Sequence, residues 1–198
     1  MSRGWLLGAI GVSLVSASCV QTPDFAKNTA DVLLRLTKIQ GAGGDGGTAS
    51  DFLISDVINC TESDGCSTFN DNATLNFELT AKNPLSTVTG AFNDVQLTSY
   101  SVRYTRTDGR NIEGVDVPFG FSGSMATQVP AGGTGAAAIV VVRHTAKAEP
   151  PLNGISNGGF FNMLYCTAHI TVFGQTINGK NVSTEGSLEI SFGDFANE

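Results

Sequence analysis

An all-β fold, an antiparallel sandwich or barrel, is what this sequence predicts, and three observations carry the prediction. Apolar residues recur with period two, turn-forming dipeptides punctuate the stretches between them, and no segment has a convincing helical spacing. Over residues 74–81, Leu75, Phe77, Leu79 and Ala81 alternate with Thr74, Asn76, Glu78 and Thr80. Toward the end of the chain, Thr184, Leu188, Ile190 and Phe192 oppose Ser183, Glu185, Ser187, Glu189 and Ser191. A strand with one buried and one wet face needs this alternation.

Taken in order, strands are expected at Val32–Ile39, Phe52–Ile58, Thr74–Ala81, Val95–Arg106, Ile112–Phe121, Met125–Val129, Ala137–Val142, Cys166–Thr176 and Val182–Phe192, about nine in all. Ala26–Leu36 has some helical spacing, but Val32, Leu34 and Leu36 fit a strand equally well. In the fourth strand the inward set changes parity, from Val95 and Leu97 to Tyr100, Val102 and Tyr104, which predicts a bulge or a change of sheet near Ser99. Ala137–Val142 is a continuous apolar run, as expected of a strand covered on both faces or packed against a partner. Asp108-Gly109 is expected to turn the chain between Tyr100–Arg106 and Ile112–Phe121, and Asn178-Gly179 between the last two strands. Pro130–Gly133 is a third turn. Strands of one kind lie on both sides of the glycine-rich Gly41–Gly47, so residues 31–195 read as a single domain.

The chain has 198 residues, 41% of them apolar and only 15% charged, which is too apolar for a disordered chain. Eleven basic against eighteen acidic residues give a net charge of −7 and a pI near 4.7, a balance that opposes nucleic-acid binding.

The N-terminus reads as an address. Arg3 precedes the apolar run Trp5–Val15 and the small residues Ser16-Ala17-Ser18, the pattern of a secretory signal peptide and too short to cross a bilayer as a helix. Its removal takes away one basic residue and leaves ten against eighteen acidic, a net charge of −8. Export implies an oxidising compartment. Ser16-Ala17-Ser18-Cys19 resembles the cleavage box of bacterial lipoproteins, with Ser16 where that family prefers Leu. With the strand pattern behind it, the chain resembles exported bacterial immunoglobulin-like β-sandwich lipoproteins. The resemblance covers the chain only at the level of pattern, and the Cys…Trp…Cys core of true immunoglobulin domains is absent, since the sole Trp is Trp5.

The resemblance implies a signal peptide over 1–18, lipidation of Cys19, a tether over 19–30, a membrane partner through the lipid, and a place in the cell envelope. Plain cleavage after Ala17 or Ser18, giving a secreted or periplasmic soluble protein, is the alternative. Asn59, Asn72 and Asn181 head glycosylation sequons, which matter only in a eukaryotic source.

Cys60 and Cys66 flank a tight loop with Asp64-Gly65 as turn formers, so a local disulfide is expected. Cys166 shares a face with Ala168, Ile170 and Val172 and reads as a buried free thiol. Without acylation of Cys19, four cysteines could make two bridges. Zinc is not expected, because the spacer is wrong and no histidine stands at ligand distance.

Gly154-Ile155-Ser156-Asn157-Gly158 has the letters of a nucleophile elbow, but no helical pattern follows it and no acidic residue stands between Ser156 and His169. A hydrolase acting on an envelope polymer, through Ser156 and His169 or a loop carboxylate pair, is therefore the alternative reading. Gly43–Gly47 occurs once and lacks the later Asp of stacked calcium-binding repeats. Asp51, Asp56, Glu62, Asp64 and Asp71 are expected to be solvated rather than to hold calcium. The remaining signal is Arg103, Arg106 and Arg110 with Tyr100 and Tyr104, a composition suited to a partner surface. The expected function is a binding or structural module without metal or cofactor, taking a protein or glycan partner at the envelope.

Overall fold

The computed structural model describes residues 29–61, 65–83, 85, 90–155 and 163–195. The expected signal peptide, Cys19, most of the tether and Ser156 lie outside them. Among the described residues the chain forms ten strands: β1 Val32–Ala42, β2 Phe52–Asp56, β3 Asn59–Thr61, β4 Gly65–Ser67, β5 Asp71–Ala81, β6 Val95–Thr105, β7 Phe121–Val129, β8 Thr134–Val142, β9 Leu164–Thr176 and β10 Asn181–Gly193. One four-residue helix, α1 (His144–Lys147), follows β8.

A three-stranded sheet, β1-β5-β8, faces a five-stranded sheet, β2-β10-β9-β6-β7, while β3 and β4 make a separate hairpin. The inward residues of the alternating segments fill the space between the two sheets. Leu75, Phe77 and Leu79 of β5 and Leu188, Ile190 and Phe192 of β10 all lie in one continuous buried core. The parity change near Ser99 is a bulge, with the register of β6 shifting between Leu97 and Ser99 against both β7 and β9. The Asn178-Gly179 turn joins β9 to β10, and Pro130–Gly133 carries the chain from β7 in one sheet to β8 in the other.

Three expectations need correcting. The sheets are not wholly antiparallel, because β2 runs parallel to β10. The Gly-rich stretch after β1 lets the chain leave the three-stranded sheet and join the edge of the other. At Gly41 this crossing is so close that a Cβ would lie 2.8 Å from Leu53 Cβ.

Residues 112–121 are a loop, with only its last residue entering β7, the strand that actually pairs with β6. Local polar side chains account for it. Asn111 Oδ1 accepts the Arg106 amide at 2.7 Å and Asp116 Oδ2 accepts the Ile112 amide at 3.2 Å, occupying donors a strand would need.

The apolar run Ala137–Val142 lies in a strand that, among the described residues, pairs only with β5 and forms an edge. Ile139, Val141 and Val142 are buried, whereas Ala136 and Ala138 are exposed.

The strands give the body two distinct ends. Thr29 donates its amide to the Asn181 carbonyl at 3.2 Å, and Asp31 pairs with Lys180 at 2.6 Å, so the chain enters beside the start of β10. From this entry end β1, β6, β8 and β10 run toward a far end that carries residues 106–120, α1 and the β3–β4 hairpin.

Candidate functional site

At the far end, the outer face of the five-stranded sheet carries a groove of about 440 Å³. Period-two alternation builds it: while Leu53, Ile190, Cys166 and Ala168 point into the core, their neighbours point out. Register sets those neighbours in rows. Glu189 lies opposite both Phe52 and Thr167, and Thr167 opposite Thr105. In the next row, Ser191 is flanked by Ile54 and Tyr165. Phe52, Ile54 and Tyr165 are 50%, 51% and 64% exposed, which is unusual for side chains of this size placed side by side. Met163 and Phe195 complete the apolar wall. The Ser191 hydroxyl, although enclosed, has no hydrogen-bond partner among the described residues.

The arginine loop adjoins the groove through Thr107, which lines it. Asp108 organises the loop: Arg106 donates from Nη2 at 2.6 Å and from Nε at 3.1 Å, and Arg110 from Nε at 3.1 Å. Desolvation raises the Asp108 carboxyl, but the hydrogen bonds from Arg106 and Arg110 together outweigh it and hold the pKa at about 2. Arg103 is exposed one row along the sheet, opposite His169. His169 Nε2 is hydrogen-bonded to Thr105 Oγ1 at 2.7 Å.

The two tyrosines do not join the arginines at the surface. Tyr100 and Tyr104 point inward and are 6% and 3% exposed. Tyr100 packs edge-on against Phe121 and sits over Gly123, where a side chain would collide with its ring. Tyr104 donates its hydroxyl to the Val141 carbonyl, bridging the two sheets. Their shared parity with Val102 places them in the core, so of the five residues grouped by composition Arg103, Arg106 and Arg110 alone lie beside the groove.

The Cys60–Cys66 disulfide is formed and crosses the β3–β4 hairpin at directly opposed positions, with Cα atoms 4.0 Å apart. Replacing both cysteines by Ser is expected to cost at most about 2 kcal/mol, because the closed loop is short. The check is the denaturation midpoint of the double variant. Among the described residues Cys166 is the free thiol; it is buried, and burial pushes its pKa up to about 11, which keeps it protonated and unreactive.

Of the loop carboxylates, Asp51 is exposed and lies 3.9 Å from Lys38, whereas Asp56 and Asp71 are buried. Glu62 and Asp64 lie outside the described residues.

Sequence reasoning missed one constellation altogether, in which Lys147, Asp71 and Ser55 meet beneath the glycine-rich loop. The signal was there in the alternation. Asp71 has the parity of Ala73, Leu75 and Phe77, and Ser55 that of Leu53 and Val57, so both were due to point inward.

No protein-family model matches this chain, and no curated protein matches it either.

Proposed function

We propose that this chain is an exported envelope module that binds a protein or glycan partner through the far end of its five-stranded sheet and performs no catalysis. In this reading residues 1–18 are removed, acylated Cys19 sits in a membrane, and residues 19–30 tether the domain. The observation that carries it is the placement of the groove. The chain enters at one end, while the exposed Phe52, Ile54 and Tyr165 and the arginine loop gather at the other. Cys19 and Thr29 are ten steps apart along the chain, a reach of at most about 35 Å, so in this reading the entry end is the tethered one.

Immunoglobulin-like topology is part of the proposal. The order β10-β9-β6-β7 follows the G-F-C-C′ run of a variable-type sandwich, and β1-β5-β8 the A-B-E run facing it.

The test uses the full-length exported protein in cells, with a photo-crosslinking residue at Tyr165 or, as control, at Asn178 in the entry-end turn. A discrete heavier species is expected from position 165 and none from position 178. Equal crosslinking at the two positions, or none at 165, defeats the reading.

A further inference from the structure

The missed constellation does not depend on the binding reading. It joins the first residue of β5, the last residue of α1 and the end of β2 in a site closed to water. Asp71 is 1% and Lys147 3% exposed, although 76 residues separate them in the chain. Lys147 Nζ lies 3.1 Å from Asp71 Oδ1 and 3.0 Å from Oδ2, and it donates to the Asp56 carbonyl at 2.7 Å. The same carboxyl receives the Gly44 amide on Oδ1 at 2.9 Å and the Ser55 hydroxyl on Oδ2 at 2.6 Å. An amine is thus pressed against a carboxyl group whose two oxygens are each held by a separate donor. Two charges enclosed this way have lost most of their hydration, so any step that removes both charges while keeping their hydrogen bonds is favoured.

We propose that Lys147 and Asp71 condense to an intramolecular isopeptide bond, Nζ to Cγ, with release of one water. A proton first passes from the ammonium to Oδ2, leaving a neutral amine and a neutral acid. The Nζ lone pair then attacks Cγ, and the carbonyl electron pair moves onto Oδ1, where the Gly44 N–H stabilises it. A second proton passes from Nζ to Oδ2, the Cγ–Oδ2 bond breaks, Oδ2 departs as water, and the carbonyl re-forms on Oδ1. Ammonium and carboxylate become amide and water, so no other reagent is consumed.

The product fits the site that made it. Its single N–H keeps the Asp56 carbonyl as acceptor, and its carbonyl keeps the Gly44 amide as donor. Burial also raises the Asp71 pKa against the pull of Lys147 and the hydrogen bonds from Ser55 and Gly44, toward the neutral acid the attack requires. The fold holds the two groups in contact, and intramolecular placement of that kind can be worth an effective concentration of about 10⁵ M or more.

Intact mass of the reduced, denatured, full-length exported protein reads the bond directly, whatever the stability of any variant. The wild type is expected to be lighter than a Lys147→Arg variant by one water, each compared with the mass of its own sequence. A tryptic digest of the wild type should contain a branched peptide joining the fragment with Asp71 to the fragment with Lys147. In Asp71→Asn the leaving group becomes ammonia, so that variant should be lighter by one ammonia instead. A wild-type mass with no water lost overturns the proposal. So does a loss that persists in Lys147→Arg, which would place the dehydration elsewhere, for instance at Asp108-Gly109.

Discussion

Measured against wild-type chain in which Lys147 and Asp71 are still an uncondensed ion pair, Lys147→Met is expected to lower folding stability by about 3–5 kcal/mol at neutral pH, the usual penalty for stranding one member of a buried charge pair. The urea midpoint at unchanged m-value reads it. Methionine keeps the length and apolar stem of the lysine, so packing around α1 changes little and the missing nitrogen dominates. Asp71 is then left with the Gly44 amide and the Ser55 hydroxyl as its hydrogen-bond donors at a position that is 1% exposed. Burial is the largest influence on that carboxyl and raises its pKa above the ordinary 3.8. With Lys147 gone, nothing cationic pulls it back. A raised folded pKa means that the folded variant binds the proton more tightly than the unfolded chain. Its stability is therefore fully present below the unfolded value of 3.8 and lost as pH rises through the folded one. The gap between wild type and variant should accordingly narrow as pH falls from neutral toward 4. A gap independent of pH would mean that Asp71 is not stranded. Adding Asp71→Asn to Lys147→Met should restore much of the loss, because no charge then remains enclosed.

How far the fold was legible depends on which interaction decided each segment. Leu75, Phe77 and Leu79 were readable because burial of alternate side chains is a local pattern with a global cause, and the bulge between Leu97 and Ser99 was readable for the same reason. Residues 112–121 were not, because side-chain hydrogen bonds from Asn111 and Asp116 took amides that the hydrophobic pattern had assigned to a ladder. The parallel β2–β10 pair was equally hidden, since period two reports which face is buried and says nothing of which strand lies alongside. The site divides along the same line. Counting parity along β6 places Tyr100 and Tyr104 indoors and Arg103 outdoors, and the composition argument that grouped them ignored that count. The groove needed the structure, because Phe52, Tyr165 and Ser191 become neighbours only once β2 and β9 flank β10.

Phe192→Ala should be the most damaging single truncation on β10, at about 3–5 kcal/mol. Its ring is fully buried and meets Tyr104 edge-on with centroids 6.4 Å apart. Tyr104 cannot readily slide into the space left behind, because its hydroxyl is held by the Val141 carbonyl of the opposite sheet. A cavity whose walls are pinned collapses little, which puts the cost toward the upper end of that range. Phe52 makes the contrasting case on the same sheet. It lies on the outer face, half exposed, so Phe52→Ala should cost less than about 1 kcal/mol. Its effect belongs to binding: loss of this ring opens one wall of the groove, and crosslinking from position 165 should fall with it. Thermal melts of the two variants, set beside their crosslinking yields, separate the face of the sheet that holds the protein together from the face proposed to meet a partner.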